Sequence, residues 1–590
     1  MEKDPQTIIA ALESTAQRCG ALPALSWKAD ARWHTLDWNG YRDAVMLAAR
    51  GLLSLGLQPG DGVAILSGNR PEWFMSDLAA IAAGGLPAGL YTTATAEQCG
   101  YVARHCGATV AVVENSDFLP QLADVRAELA AIVVIEGDPE DEDTLSWAEL
   151  LERGRDIEDA RLRERIDALD ADRVCTLIYT SGTTGPPKGV MLSHRNFLWM
   201  ANLMAEEFGA DSDFRGLSYL PLSHVAEQVA LLYTSLVSGC CISFAESLDL
   251  LADNLQEVRP TYFFAVPRVW EKIQSRMQAA GAASSGLRRR LVAWAREVGL
   301  KGGYSEQRGE SKSLAYAMAN RLVFSKVRKR LGLERADLLF TGAAAISKDT
   351  LEFFLSLGMP ILEVYGMTES TGGGTFSMPD RYRTGSAGYA LPGSEIKIAD
   401  DGEIWIRGPQ ICLGYYRDEE QTSATIDAKR WLHTGDIGTM DEDGFLWVVD
   451  RKKELLVTSG GKNVAPVPME VKLGGIPGVA QAVVVGERRN YLSALLVLDP
   501  EQIPELAEKI GSRAQSVAEA ASCEHFRGYL EEQVARVNET LARYETIKRF
   551  AVLDDQLSVE AGTLTPTLKI KRRGIAERYG RHIEALYTSD

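Results

Sequence analysis

Apolar positions along this chain fall into two alternating patterns. Over the first 170 residues, short apolar runs alternate with stretches in which apolar positions recur at helical spacing. Val63–Leu66, Leu86–Leu90 and Thr109–Val113 read as strands, with helices over Glu72–Ala83 and Ala96–His105 between them. That rhythm predicts βαβ units and a parallel sheet. Ile132–Ile135 adds a strand and runs into 137–143, an acidic, turn-rich segment expected to be a solvated loop. Further on, Pro260–Trp270 predicts an aromatic strand, a turn and a helix start, most of it core. Residues 286–330 form a basic, amphipathic helical region that includes Arg288–Arg290 and Lys326–Arg330, interleaved with Trp294 and Phe324. A solvated helix face is the plain reading of that stretch. The other is attachment to an anionic membrane surface.

Composition narrows the classes. At 590 residues the chain has room for two or more domains of about 100–200 residues each. Hydrophobic residues make up 46% and charged residues 24%, an ordinary soluble balance. No run approaches about 18 apolar residues, and MEKDPQTIIAALEST lacks the apolar centre of a signal peptide, so any membrane contact is expected to be peripheral. The formal charge of -18 argues against nucleic acid as a partner. Anionic substrates must then be met by local donors. Eight scattered cysteines, with Cys240 and Cys241 adjacent and no CxxC spacing, fit reduced thiols in the cytoplasm better than disulfides or zinc. Monomer and homodimer both stay open.

The chemistry begins at Leu177–Gly189, LIYTSGTTGPPKG, where the strand-like Thr176–Tyr179 drops into a loop of Ser, Thr, Gly and Pro. Gly182, Gly185 and Gly189 permit backbone geometries in which amide N–H groups turn toward an anion. Thr180, Ser181, Thr183 and Thr184 add hydroxyl donors, and Lys188 adds a point charge. A Walker A loop would need Ser or Thr after Lys188, where Gly189 stands. This is a phosphate loop of another kind.

Three patches accompany it. Thr341–Ala345 (TGAAA) follows the apolar Leu338–Phe340, and its small residues let a flat ring lie against backbone. Val364–Ser370 places Tyr365 to cover a base, Thr368 to donate to phosphate and Glu369 to hold Mg²⁺, which favours a carboxylate plus substrate phosphates. Trp431–Asp436 (WLHTGD) sets Asp436 beside a glycine turn, suited to accept from both ribose hydroxyls. His224, in Ser218–Val225, is by residue type alone more often structural than catalytic.

The loop at 180–189, YGMTES (365–370), GEIWIRGP (402–409), GYY (414–416), WLHTGD (431–436) and DRKKELLVTSGGKN (450–463) together resemble the adenylate-forming acyl-CoA synthetase family over nearly the whole chain. YTTATAEQ (91–98), LPLSHVAEQ (220–228) and GGKNVAPVPME (460–470) are most similar to its long-chain, bubblegum-type branch. The resemblance implies an α/β fold: a large N-terminal adenylate-forming domain of stacked mixed sheets and helices (1–450), and a small mobile α+β C-terminal domain (451–590). It implies a fatty acid, ATP and coenzyme A as substrates, with Mg²⁺. By the same resemblance the nucleotide lies between Gly342, Ala343, Ala344 and Tyr365, with Gly366 and Met367 beside it. Asp436 and Arg451 meet the ribose, Thr180–Lys188 and Thr368 the phosphates, and Glu369 with Thr184 the metal. His224 lines the acyl-carboxylate site, Lys453 is the domain hinge, and Gly460 and Gly461 border the pantetheine entrance. LTPTLKIKRR (564–573) matches the segment of the adenylation lysine and puts that role on Lys569, with Lys571 as its rival. The commoner pattern has Ser-Gly before that lysine, where Thr567 and Leu568 stand here.

These groups suit a two-step ligation. A carboxylate attacks the α-phosphate of ATP to give an acyl-adenylate and pyrophosphate, and the CoA thiolate then displaces AMP. Two alternatives share most of the motifs: an acyl-AMP ligase that delivers to a carrier protein, and a non-catalytic fatty-acid binding or transport protein. No Asp-Ser-Leu phosphopantetheine motif or appended carrier domain is evident for the first, and the presence of Glu369 and Lys569 weighs against the second.

Overall fold

A computed structural model describes residues 5–137, 139, 141, 143–180, 186–282, 286–459, 462–565 and 569–588. The chain divides into two compact units: a larger one (1–343, 352–396, 405–433) and a smaller one (344–351, 397–404, 434–590).

The predicted βαβ rhythm is present in the larger unit. Leu86–Gly89, Gly62–Leu66, Ala108–Val113, Ala131–Val134 and Thr144–Ser146 lie side by side and parallel, with Val174–Thr180 continuing the sheet beside Leu86–Gly89. Two antiparallel strands, Lys188–Ser193 and then Gly414–Tyr415, complete eight. Helices Pro71–Ala82 and Ala96–Cys106 make the crossovers, the second opened by a Thr95–Gln98 capping box and closed by left-handed Gly107. Gly62–Leu66 is buried at every position, as a strand covered on both faces must be. The described acidic residues of 137–143 are exposed, as expected of a solvated loop, and Arg126 pairs with both Asp141 and Asp143.

A second sheet of the same unit orders Tyr262–Ala265, Leu338–Thr341 and Leu362–Tyr365 in parallel, followed by two short antiparallel strands. The basic stretch is helical, over Gly286–Gln307 and 314–331. Its aromatic content faces inward: Phe324 is fully buried with Ala295, Ala319 and Val323, and Trp294 packs against them. The apolar side chains left in solvent are aliphatic, Leu287 at 84% exposure, Leu314 at 91% and Met318 at 54%.

One core contact carries a pH dependence. Asp77, fully buried on the helix Pro71–Ala82, accepts from the Tyr233 hydroxyl at 2.8 Å. Its Oδ1 and the Tyr41 hydroxyl have no hydrogen-bond partner among the described residues. Burial pushes the Asp77 carboxyl up to about 7. A raised carboxyl binds its proton in the fold before it does in the unfolded chain. Its contribution is therefore full below the ordinary carboxylate range and is lost as pH rises through about 7. Each pH unit inside that window costs up to about 1.4 kcal/mol. Asp77→Asn is expected to flatten the fall in urea midpoint between pH 5 and pH 8. Parallel profiles for the two proteins would place an ionised carboxylate in this core instead.

The smaller unit is α+β. Its three-stranded sheet pairs Leu492–Leu498 antiparallel to Val479–Val485 and parallel to Ile547–Leu553. The central strand alternates between two cores: Leu492, Ala494, Leu496 and Leu498 face Phe526 and Leu530, while Leu495 and Val497 face Ile575 and Tyr579. A hairpin, Leu432–Met440 with Leu446–Arg451, brings Asp436 opposite Arg451.

Candidate functional site

Leu338–Thr341 and Leu362–Tyr365 are adjacent parallel strands, so the turns that leave their carboxyl ends emerge together. Open α/β sheets hold ligands at such ends. Gly342 is packed so closely on Val364 that an added Cβ would stand 2.7 Å from its Cγ2. Ala343 is exposed and held at φ +67°, a left-handed conformation that costs an alanine about 1–2 kcal/mol. Tyr365, at the end of the neighbouring strand, is half-buried. Gly342, Ala343 and Tyr365 are thus brought together as a small-residue floor beside an aromatic ring. Ala344 follows, exposed.

The turn after Tyr365, through Gly366 and Met367, buries Thr368 and Glu369. Ser370 Oγ accepts from the Met367 amide at 3.1 Å, and Thr371, at φ +51°, donates its hydroxyl to the Gln410 carbonyl at 2.6 Å. The segment 409–412 is itself fixed: Asn196 donates to the carbonyls of Pro409 and Ile411, and Arg430 to those of Ile411 and Cys412. Glu369 is then held twice. Its carbonyl accepts from the Cys412 amide at 2.9 Å, and its Oε1 accepts from the Tyr415 hydroxyl at 2.6 Å. Burial first, then the Glu369 charge, holds the Tyr415 phenol far above its usual range, so it stays a donor.

The strands that flank the expected phosphate loop form an antiparallel pair. Val174–Thr180 pairs with Lys188–Ser193, and Thr180 stands opposite Lys188. Ser181, Gly182, Thr183, Thr184 and Gly185 lie outside the described residues. Lys188 Nζ sits 5.2 Å from the Tyr415 ring centre. A cavity of about 170 Å³ opens there, lined by Lys188, His105, Tyr101, Tyr415 and Asp418. The Tyr179 hydroxyl, kept protonated by burial, is hydrogen-bonded to His105 Nδ1 at 2.8 Å. His224 Nδ1 accepts from the Ala226 amide at 3.2 Å and caps the short helix Val225–Glu227.

In the smaller unit, buried Asp436 receives Arg451 Nε at 3.1 Å across the hairpin. Lys453 is exposed in the 3-10 turn Lys452–Glu454. Gly460, Gly461 and Pro566–Leu568 lie outside the described residues. Lys569 is exposed, and its amide donates to Thr565 Oγ1 at 3.0 Å while its carbonyl accepts from the Thr565 amide at 2.8 Å. Lys571 is half-buried at the start of the helix Arg572–Ala585. Arg572 forks onto Glu470 at 2.8 and 2.9 Å and reaches Glu454 at 3.4 Å. The Glu454 contact links the lysine segment to the turn that carries Lys453.

Sequence reading gave no role to Tyr415, Asn196 or Arg572. The GYY and KIKRR runs were signals for the first and third, whereas Asn196 carries no local signature.

Among the described residues no cluster of three His, Cys, Asp or Glu side chains could hold a metal ion. Mg²⁺ seldom needs one, since it binds through one or two carboxylates plus substrate phosphates. Glu369, buried and engaged through one oxygen, suits that role: Tyr415 takes Oε1, so a cation would be met by Oε2.

The comparisons agree with this layout. The adenylation domain of a carboxylate reductase from Mycobacterium chelonae superposes at TM-score 0.79, with 23% identity over 100% of this chain and 92% of that one. O-succinylbenzoate coenzyme A synthetase (MenE) from Bacillus subtilis, solved with ATP and magnesium ion, superposes at 0.69, with 23% identity over 95% and 98%. Both show the α/β fold. The Xenopus laevis protein named long-chain-fatty-acid–CoA ligase ACSBG2 is 39% identical over 99% of this chain and 84% of its own length. Human ACSBG2, of the same name, is 36% identical over 99% and 92%. Residues 12–416 match the AMP-binding enzyme model and 453–590 its C-terminal domain. The chain belongs to the AMP-binding enzyme family, with relatives of the bubblegum type.

Proposed function

We propose that this chain is a long-chain fatty acid–CoA ligase, activating its substrate as an acyl-adenylate and passing the acyl group to coenzyme A. The observation that carries the reading is the buried turn Thr368–Glu369, pinned beside the strand that begins at Lys188. It sets a carboxylate and a lysine near one aromatic ring, where a nucleotide triphosphate needs a cation ligand and a counter-charge. The base lies on Gly342 and Ala343 against Tyr365, and Asp436 with Arg451 takes the ribose. Thr180, Thr368 and Lys188 donate to the phosphates. Bound Mg²⁺ would neutralise charge on the phosphates, with Glu369 as its protein ligand. Lys569 meets the charge that gathers between carboxylate and α-phosphate. Residues beyond Lys453 then turn about it, removing Lys569 before the thiol attacks.

Palmitate with ATP and Mg²⁺ is expected to release pyrophosphate, and adding CoA to yield palmitoyl-CoA. Adenylate that accumulates and ignores free CoA would identify a carrier-protein ligase. Absence of both products would leave a binding protein.

Residues 286–331 supply a membrane contact in this reading. Leu314, Met318 and Leu322 recur at the spacing of one helix face, and Arg288–Arg290 are exposed on a chain of net charge -18. Exposed aliphatics beside local positive charge suit an anionic bilayer, where long-chain substrates reside. Reversing Arg288–Arg290 to Glu is expected to lower co-sedimentation with phosphatidylserine vesicles at low salt several-fold. A parent protein that ignores such vesicles would make the stretch a solvated face.

A further inference from the structure

We propose that Tyr415 is a positioning residue that presents Glu369 and Lys188 jointly to the metal-bound phosphates. The inference rests on the ligase reading above and adds a residue to it.

Tyr415 is placed by backbone before its side chain does anything. Gly414 and Tyr415 pair antiparallel with Met191 and Val190, and the Tyr416 amide donates to the Gly189 carbonyl at 2.8 Å. The ring is thereby registered against the strand that starts at Lys188. Gly414 lies at φ +136°, and an added Cβ would stand 2.4 Å from Thr422 Cγ2, so only glycine lets the short strand close here. Thr422 Oγ1 accepts from the Tyr415 amide at 2.8 Å. The phenol then spans two functional segments, donating to Glu369 Oε1 at 2.6 Å while its ring stands 5.2 Å from Lys188 Nζ.

Each contact has a consequence for substrate. An O–H donated to a carboxylate is among the stronger hydrogen bonds, and it fixes the carboxylate plane. With Oε1 engaged by the phenol, Oε2 keeps the greater capacity for a cation. The aromatic face attracts the ammonium of Lys188 without neutralising it. Partners that orient a metal-binding carboxylate typically change metal affinity about 10–100-fold.

The test uses the full chain without fatty acid, so that no turnover occurs, and measures ATP affinity calorimetrically with excess Mg²⁺ and again in EDTA. Tyr415→Phe keeps the ring and removes only the hydroxyl. It is expected to weaken binding about 10–100-fold with Mg²⁺ and less than about 2-fold in EDTA. Tyr415→Leu, which also removes the ring beside Lys188, is expected to weaken ATP binding in EDTA as well. Pyrophosphate release by Tyr415→Phe should recover as Mg²⁺ is raised, which a merely structural defect would not allow. Unchanged Mg²⁺-dependent binding in Tyr415→Phe, beside a loss in Glu369→Gln, overturns the role of Tyr415. Equal losses in Mg²⁺ and EDTA also overturn it, by marking a general defect. Undiminished Mg²⁺-dependent binding in Glu369→Gln overturns the metal reading itself, a separate failure.

Discussion

Lys569→Ala is expected to slow adenylate formation by about 10²–10³ or more, the scale for one preorganised electrostatic donor, while converting supplied acyl-adenylate and CoA to thioester at close to the normal rate. The asymmetry follows from where charge develops. Two anions meet only in the first step, and an ammonium between attacking carboxylate and α-phosphate stabilises that transition state more than either ground state. Lys569 is exposed. Lys571 is half-buried at the mouth of a helix, and Arg572 is committed to Glu470 and Glu454. Because Arg572 ties the lysine segment to Glu454, next to Lys453, the two segments move as one body when the hinge turns. Lys453→Pro should therefore do the reverse of Lys569→Ala, sparing adenylation and slowing thioester formation, since proline fixes its own φ and restricts Lys452. Single-turnover assays of each half-reaction check both. Equal damage to both steps by Lys569→Ala contradicts the alternating arrangement. A silent Lys569→Ala beside a dead Lys571→Ala moves the role two residues along.

The parallel sheet was legible because each strand is a short apolar run between turn residues. Gly62–Leu66, Ala108–Val113 and Ala131–Val134 fall within a residue of their predicted bounds. The sequence left the aromatics of 286–330 without an assigned face, for a physical reason. Helical periodicity gives the spacing of a face but not which face meets the core, and Phe324 and Trp294 pack inward while Leu314 and Met318 do not. Candidate groups are easiest to read where they are adjacent in sequence, as Thr368 and Glu369 are on one buried turn. They are illegible where a distant residue acts through tertiary contact. Tyr415 reaches Glu369 across 46 positions and Arg572 reaches Glu470 across 102, and no local pattern encodes such pairings.

Glu369→Gln is expected to cut acyl-adenylate formation at least about 10²-fold at ordinary Mg²⁺, with fatty-acid binding and the fold little changed. The substitution is close to isosteric, and its neighbours tolerate it. The Cys412 amide still finds the residue 369 carbonyl, and the Tyr415 hydroxyl can still donate to an amide oxygen at the position of Oε1. What goes is the formal charge on the oxygen turned to the cation, replaced by an NH₂ group that repels it. Mg²⁺ then keeps only the phosphates and water as ligands, and pyrophosphate leaves a site in which its charge is poorly matched. Raising Mg²⁺ should restore little, because an amide nitrogen cannot become a ligand at any concentration. Tyr415→Phe, in which the carboxylate survives but is loosely held, should be rescued. Pyrophosphate release measured against Mg²⁺ for the two variants therefore separates loss of the ligand from loss of its orientation. Near-normal release by Glu369→Gln at ordinary Mg²⁺ would remove Glu369 from the metal site and leave the Tyr415 contact as a structural hydrogen bond.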